Sequence, residues 1–259
     1  MSSTIDANVA VGSGAQGSRL RGIVLWTAVS AILTMASVVM FLAGLLTAFQ
    51  TRRFCSEVLG RCLGRTVLRL SGIELVVHQP EPFPNQQTIF LANHTSTLDV
   101  FILLALGLPR TRFFLKGKYR AFPPLAVISY IIGVFFTPPQ TRSAQRVRCF
   151  QNAERVLRRT GDSVFLSPEG TRITSGKIGH FNKGAFHLAT NLHAPIVPIF
   201  IAIPRHINPG RGSAALPGVV DVYLQPSIST ADWKLSELQM NKEAIRNTFV
   251  GLSSELQRT

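Results

Sequence analysis

The stretch Asn93-His94-Thr95-Ser96-Thr97-Leu98-Asp99 sets a histidine and a carboxylate five residues apart. An imidazole accepts a proton near neutral pH, and a carboxylate on its other nitrogen fixes its tautomer and steadies its charged form. On one continuous helix, residues five apart lie about 140° apart round the axis and do not face each other. His94 and Asp99 can therefore meet only if His94 lies in a loop and Asp99 in the first turn of a helix. The flanks allow this. Thr88 to Ala92 is a short, β-prone apolar run, and Leu98 to Leu108 is an apolar helical run closed by Gly107 and Pro109. Ser96 or Thr97 supplies the N-cap. A plainer reading fits the same residues: Asp99, three after Ser96, as the acidic member of a capping-box-like start, and His94 as a buried histidine bonded to backbone.

A second stretch has a different chemistry. Pro168-Glu169-Gly170-Thr171-Arg172 follows a short strand at Ser163 to Leu166. It offers backbone N–H groups at Gly170 and Thr171, a hydroxyl and a guanidinium, all suited to phosphate oxygens. As a bare pentapeptide it reads equally as a Pro-Glu-Gly turn with a solvated arginine.

The elements around these stretches alternate. Strands are expected at Ile73 to Val77, Arg112 to Lys116, Ala194 to Ile201 and Val219 to Leu224, besides the two already named. Helices are expected at Ser143 to Thr160, stopped by Gly161, at Gly184 to Leu192, and over about Asn241 to Leu256 with Ile245, Phe249, Leu252 and Leu256 on one face. Leu125 to Phe136 is an apolar run too short to span a bilayer as a helix, and reads as buried core or as surface that meets lipid. The pattern predicts an α/β fold, a sheet covered by helices, preceded by an N-terminal membrane-anchoring helix.

That anchor is read from Ile23 to Phe49, 27 residues without a charge, between Arg19 and Arg21 on one side and Arg52 and Arg53 on the other. As a helix it is ~40 Å long, enough to cross a hydrocarbon core of about 30 Å with some tilt. The apolar region of a cleaved signal peptide is shorter, about 7–15 residues. The basic residues after the segment outnumber those before it. A spanning helix therefore places the C-terminal bulk on the cytoplasmic side of the inner (cytoplasmic) membrane, and a re-entrant anchor with both ends cytoplasmic satisfies the same rule. Phe54 to Leu70 continues as an amphipathic pattern with Arg61, Arg65 and Arg69 at helical spacing, either resting on anionic headgroups or solvated. The organisation expected is a disordered tail over 1–18, a membrane-anchoring helical segment over 19–71 and a catalytic domain over 72–259.

Charge narrows the partners. Lys and Arg total 27 against 13 Asp and Glu, and between Arg110 and Arg159 only Glu154 is acidic. Such a field calls for an anionic partner. An apolar content of 46% and the N-terminal segment point to an anionic membrane surface or a phosphorylated substrate, and away from nucleic acid. Three cysteines and six histidines fall in no metal-ligand spacing, so neither a metal site nor a disulfide framework is expected.

The order of the motifs carries a resemblance. N-H-x-x-x-x-D at Asn93 to Asp99, P-E-G-T-R at Pro168 to Arg172, Phe181-Asn182-Lys183-Gly184-Ala185-Phe186 and Ile196-Val197-Pro198-Ile199 together resemble the glycerolipid acyltransferase family, nearest to the 1-acylglycerol-3-phosphate acyltransferases. The resemblance implies transfer of a fatty acyl group to a lysolipid hydroxyl. The donor would be an acyl thioester, acyl-CoA or acyl-acyl carrier protein, acting as co-substrate with no further cofactor. It implies His94 as general base, Asp99 as its orienter, and Glu169, Gly170, Thr171 and Arg172 as the acceptor-phosphate site, with Lys116 and Arg142 as further binding residues. Two features depart from the family's pattern. Ser167 stands where an aromatic residue is usual, and the family's middle motif is matched only loosely by Gly133-Val134-Phe135-Phe136 followed by Arg142. The second departure leaves room for another acceptor, such as a lyso-ornithine lipid or a lysophospholipid.

Overall fold

The computed structural model describes residues 3–48, 50–208 and 215–256, with side chains described from Leu20 onward. The tail expected over 1–18 falls outside the described side chains. Helix α1 (Ser3–Leu46) carries the apolar segment, whose span Leu20–Leu46 lies three residues earlier than the uncharged run. Beyond turns at 47–48 and 50–51 the chain runs back through α2 (Arg52–Phe54), a π-helical turn at Cys55–Leu59, and α3 (Gly60–Leu70). The two arms form a hairpin, tied at its open end by Arg21 Nη2 donating to Ser71 O at 3.2 Å.

A seven-stranded sheet follows, built from β1 (Ile73–His78), β2 (Ile89–Ala92), β3 (Thr111–Lys116), β4 (Phe135–Thr137), β5 (Ser163–Leu166), β6 (Ile196–Ala202) and β7 (Gly218–Leu224), in the order β1-β7-β6-β2-β5-β3-β4. Strands β2 to β6 all run parallel, and only β6 and β7 pair antiparallel. The chain leaves β2 for α4 (Leu98–Leu106), passes through β3, α5 (Pro123–Ile132), β4 and α6 (Ser143–Thr160) to β5, and reaches β6 through α7 (Gly184–Leu192). Helix α8 (Leu238–Leu256) closes it. Strand β2 thus has β5 on one side and β6 on the other, the kind of switch point at which open parallel sheets bind ligands beyond their C-terminal ends.

Side-chain alternation covers both faces, as buried parallel strands require. Phe90, Ala92, Phe165, Val197 and Ile199 point toward α4, whereas Ile89, Leu91, Val164, Leu166 and Ile196 point toward α6, α7 and α8. Helix α8 inserts Ile245 and Phe249, with Leu252 and Leu256 packed beside them, as the sequence face predicts. The run Leu125 to Phe136 divides at Gly133, which takes a left-handed conformation and ends α5; Phe135 and Phe136 then pair with β3 as β4. A left-handed glycine stops a helix regardless of hydropathy, so the run could not remain one element.

Helix α1 buries one stripe, Leu33, Ser37 and Met40, in a third cluster with Cys55, Leu63 and Val67 of the hairpin's second arm, Leu104 of α4, and Ile128, Ile131 and Ile132 of α5. Its remaining faces expose large apolar side chains, among them Ile23, Trp26, Met35, Val38, Leu42 and Leu45. An apolar surface this long on a soluble domain marks contact with a membrane or a partner. Helix α3 turns Arg61, Arg65 and Arg69 to solvent and packs Gly64 directly on α4, where an added Cβ would stand 2.5 Å from Phe101 O. Gly64→Ala should therefore part these helices and lower stability by about 1–3 kcal/mol in denaturant titrations. Gly251→Ala, with nothing within 4 Å of its Cβ position, should not.

Candidate active site

His94 lies in the loop after β2 and Asp99 in the first turn of α4, with Thr97 as N-cap and Ser96 Oγ accepting the Leu98 N–H at 3.1 Å. Asp99 Oδ2 is 2.7 Å from His94 Nδ1 and accepts the backbone N–H of Thr95 and of Ser96 at 2.9 and 3.0 Å. One oxygen of Asp99 thus makes both the contacts to the backbone at the helix start and the contact to His94. Because that oxygen accepts from three sides, the proton of the pair sits on Nδ1, leaving Nε2 with its lone pair. Asp99 is buried, while His94 keeps 24% of its side chain exposed. The pair can take a proton from a group arriving from solvent and hold the resulting charge against a fixed carboxylate.

The loop carrying His94 is clamped on both sides. Asn93, 3% exposed, continues β2 with its side chain: Nδ2 donates to Ile201 O at 2.9 Å and Oδ1 accepts Ile201 N–H at 2.8 Å. His94 O accepts the Ile173 N–H at 2.8 Å. From β5, Glu169 reaches back so that Oε2 accepts the His94 N–H at 2.8 Å and Oε1 accepts the Gly179 N–H at 2.7 Å.

The Glu169 carboxylate thus has backbone partners where the resemblance implied an acceptor phosphate. The side chain is buried, both its oxygens are bound to backbone, and a carboxylate turned toward phosphate would repel it. Burial raises the Glu169 pKa, against the opposing pull of the Gly179 and His94 amides. The Gly170 N–H likewise closes the turn on Ser167 O at 3.2 Å. Asn182 braces the same turn, its Nδ2 donating to the carbonyls of Pro168 and Glu169 at 3.0 Å each.

The remaining predicted residues gather at the same edge of the sheet. Lys116 ends β3, paired with Thr137 at the end of β4. Burial lowers its pKa, and the positive charges of Lys118 and Arg172 lower it further. Lys116 and Arg172 thus share one field, although they stand 56 residues apart in sequence. Arg172 is exposed and Thr171 half-buried. Arg142 is exposed at the N-cap of α6, two residues after Gln140, whose Nε2 lies 3.4 Å from where a Cβ on Gly170 would stand. A histidine–carboxylate pair and three cations therefore lie beyond the C-terminal ends of the parallel strands, a composition that suits a phosphate-bearing alcohol. Among the described residues no group of three His, Cys, Asp or Glu side chains could hold a metal ion.

Several supports escape a sequence reading. Arg246 on α8 donates to Gly179 O and Ile178 O at 2.8 and 3.1 Å, steadying the segment that binds Glu169. Nothing in the local sequence marks it. Asn182 does fall within a quoted motif, where its placement just before a helix was the available signal.

Residues 74–202, which carry the central strands and both loops of this edge, match the family model described as Acyltransferase, and the chain belongs to that family. It is 27% identical over 192 residues to a 1-acyl-sn-glycerol-3-phosphate acyltransferase of Limnanthes alba, covering 74% of this chain and 67% of that protein. It is also 27% identical over 187 residues to the human 1-acyl-sn-glycerol-3-phosphate acyltransferase beta, covering 70% of this chain and 67% of that protein. In fold it is similar to the crystal structure of the 1-acyl-sn-glycerophosphate acyltransferase PlsC from Thermotoga maritima, with a TM-score of 0.74 over 93% of this chain and 98% of that one, at 21% identity.

Replacing Glu169 by Gln removes one of its two acceptor oxygens and sets an NH2 against a backbone N–H. Steady-state kinetics should show kcat falling by roughly 100-fold, the scale of a displaced catalytic group, with the acceptor KM little changed. A change confined to acceptor KM would return Glu169 to the binding site.

Proposed function

We propose that the protein transfers a fatty acyl group from an acyl thioester, acyl-CoA or acyl-acyl carrier protein, to the free hydroxyl of 1-acylglycerol-3-phosphate, forming phosphatidate for phospholipid biosynthesis. The observation that carries this reading is the 2.7 Å His94–Asp99 contact on the same edge as Lys116 and Arg172. Both relatives cited bear the name of that activity.

In this reading His94 Nε2 removes the proton of the acceptor hydroxyl as its oxygen attacks the thioester carbonyl. The tetrahedral intermediate collapses with cleavage of the C–S bond, and the departing sulfur takes the proton from the imidazolium. The products are an ester and a free thiol. Asp99 stabilises the imidazolium between the two steps, the base and orienter of a serine-protease triad with the substrate alcohol in place of serine. Lys116, Arg142, Arg172 and the backbone around Thr171 hold the acceptor phosphate.

The docking of α1 supports a placement at the membrane. Its apolar length packs along α3 and α5 instead of projecting from the domain. A crossing along the bilayer normal would carry the exposed Arg61, Arg65 and Arg69 toward hydrocarbon, at roughly 2.5–3.5 kcal/mol each. The helix is better accommodated lying in the surface, its open face in lipid and the catalytic edge at headgroup level. The excess of arginines after the segment favours the cytoplasmic side of the inner membrane.

Three measurements test the site. His94→Ala should reduce thiol release by about 10²–10⁴-fold, the usual range for loss of a general base, while the circular dichroism spectrum is retained. Arg172→Ala should weaken the acceptor by about 1–3 kcal/mol in apparent KM, with kcat at saturation largely kept. Because burial and two neighbouring cations lower the Lys116 pKa, its charge is lost at lower pH than for a free lysine. The acceptor KM should therefore rise on the alkaline side, and Lys116→Arg, which stays protonated, should shift that rise to higher pH. A panel of lysolipids with both donors decides the acceptor: preference for lyso-ornithine lipid or a neutral lysophospholipid over lysophosphatidate would reassign it.

A further inference from the structure

At the opposite edge of the sheet from His94, helices α1 and α5 end together, and a cavity of about 590 Å³ opens between them and the domain. Gln50, Arg52, Arg53, Arg112, Tyr130 and Ile131 line it. Asp162, buried beneath, binds both Arg52 Nη2 at 2.5 Å and Arg112 Nε at 2.8 Å through the same oxygen. The cavity thus holds three guanidiniums, two of them paired with the one carboxylate beneath, an excess of two positive charges. Arg112 is only 9% exposed, and a cation so desolvated needs more counter-charge than half of one carboxylate. The backbone is shaped to keep it there: at Gly133, φ is +75° and a Cβ would stand 2.3 Å from Arg112 Nη1 and 3.3 Å from Arg52 Cδ.

This cavity is separate from the catalytic edge. Arg112 lies level with Val164 and hence with Ile89 in the sheet register, five residues before His94. At about 3.3 Å per residue that is roughly 16 Å.

We propose that the cavity binds the phosphate-bearing headgroup of an anionic phospholipid taken from the membrane that α1 faces. Guanidiniums pair with phosphate oxygens bidentately and are the side chains best suited to a partly buried anion. The surroundings specify a lipid. Exposed apolar side chains flank the opening, with Leu45 and Leu46 at the end of α1, Phe54 on the returning arm and Tyr130 on α5, exposed by 60%, 85%, 49% and 78%. They offer acyl chains a surface continuous with that of α1. A lipid held here fixes the second end of the α1 hairpin to the bilayer, so that the catalytic edge and the cavity sit at one headgroup level.

The test uses the full chain in a non-ionic detergent, titrated with phosphatidylglycerol or phosphatidylcholine, with retained lipid counted by native mass spectrometry. Arg53→Gln removes one cation from the cavity without touching the Asp162 pairs, and Arg53 is exposed, so the fold is kept. Arg148→Gln removes an equal, exposed charge near the start of α6, at the other end of that helix from Asp162. Wild type and Arg148→Gln should each retain one phosphatidylglycerol in preference to phosphatidylcholine, and Arg53→Gln should weaken that binding about tenfold, or ~1.4 kcal/mol. Equal weakening by both variants would mean diffuse surface charge and would overturn the site. So would equal retention of the two lipids, and displacement by millimolar inorganic phosphate would overturn the lipid assignment in favour of a free anion.

Discussion

One oxygen of Asp99 accepts the Thr95 and Ser96 N–H groups and the ring N–H of His94, and much of the molecule exists to keep that convergence in place. A buried carboxylate is tolerated only when its charge is met by donors. The loop turning into α4 provides two of them, Thr95 and Ser96 just ahead of the N-cap Thr97. His94 provides the third. The stability of the helix start and the reactivity of the imidazole are therefore set by the same contact, and the histidine cannot rotate away without leaving that carboxylate short of a donor.

The same economy recurs at Glu169. Its two oxygens join the loop after β2 to the segment before α7, so that the histidine and the cationic turn of Arg172 are referenced to each other through one side chain. Burial opposes the charge of Glu169, and the amides of His94 and Gly179 offset part of that penalty. Asn93 carries the β2–β6 ladder on to Ile201, and Glu169 fills the His94 N–H just beyond β2 and the Gly179 N–H; where the ladder has stopped, such groups would otherwise be buried unpaired. Rigidity at the catalytic edge comes from these completed backbone bonds more than from side-chain packing.

Charge and apolar surface are segregated around this frame. Helix α1 leaves its apolar side open along its length, while the arginines of α3, α6 and the loops project to solvent. Strand β3 leads from Lys116 through 117–121 to the start of α5, where Phe122 meets Trp26 of α1, ring centroids 6.3 Å apart.

Much of this was legible in the residues. Helices at Ser143–Thr160 and Gly184–Leu192 and the strand at Ser163–Leu166 have the expected bounds, because periodicity and glycine stops are local. So was the condition that His94 and Asp99 meet only across a loop-to-helix junction, since it follows from helix geometry alone. The role of Glu169 was not: a carboxylate inside a phosphate-like motif reads as a ligand until the fold shows backbone amides of positions 94 and 179 on its two oxygens. Nor could sequence show that Lys116 and Arg172 share a field, that Arg246 holds the loop whose Gly179 N–H meets Glu169, or that α1 lies against the domain. Local pattern determined the elements and the reactive pair, whose partners are near in sequence. Only the sheet order, which sets β5 and β6 on either side of β2, decided which distant groups converge on them, because spatial neighbours across parallel strands carry no spacing signal along the chain.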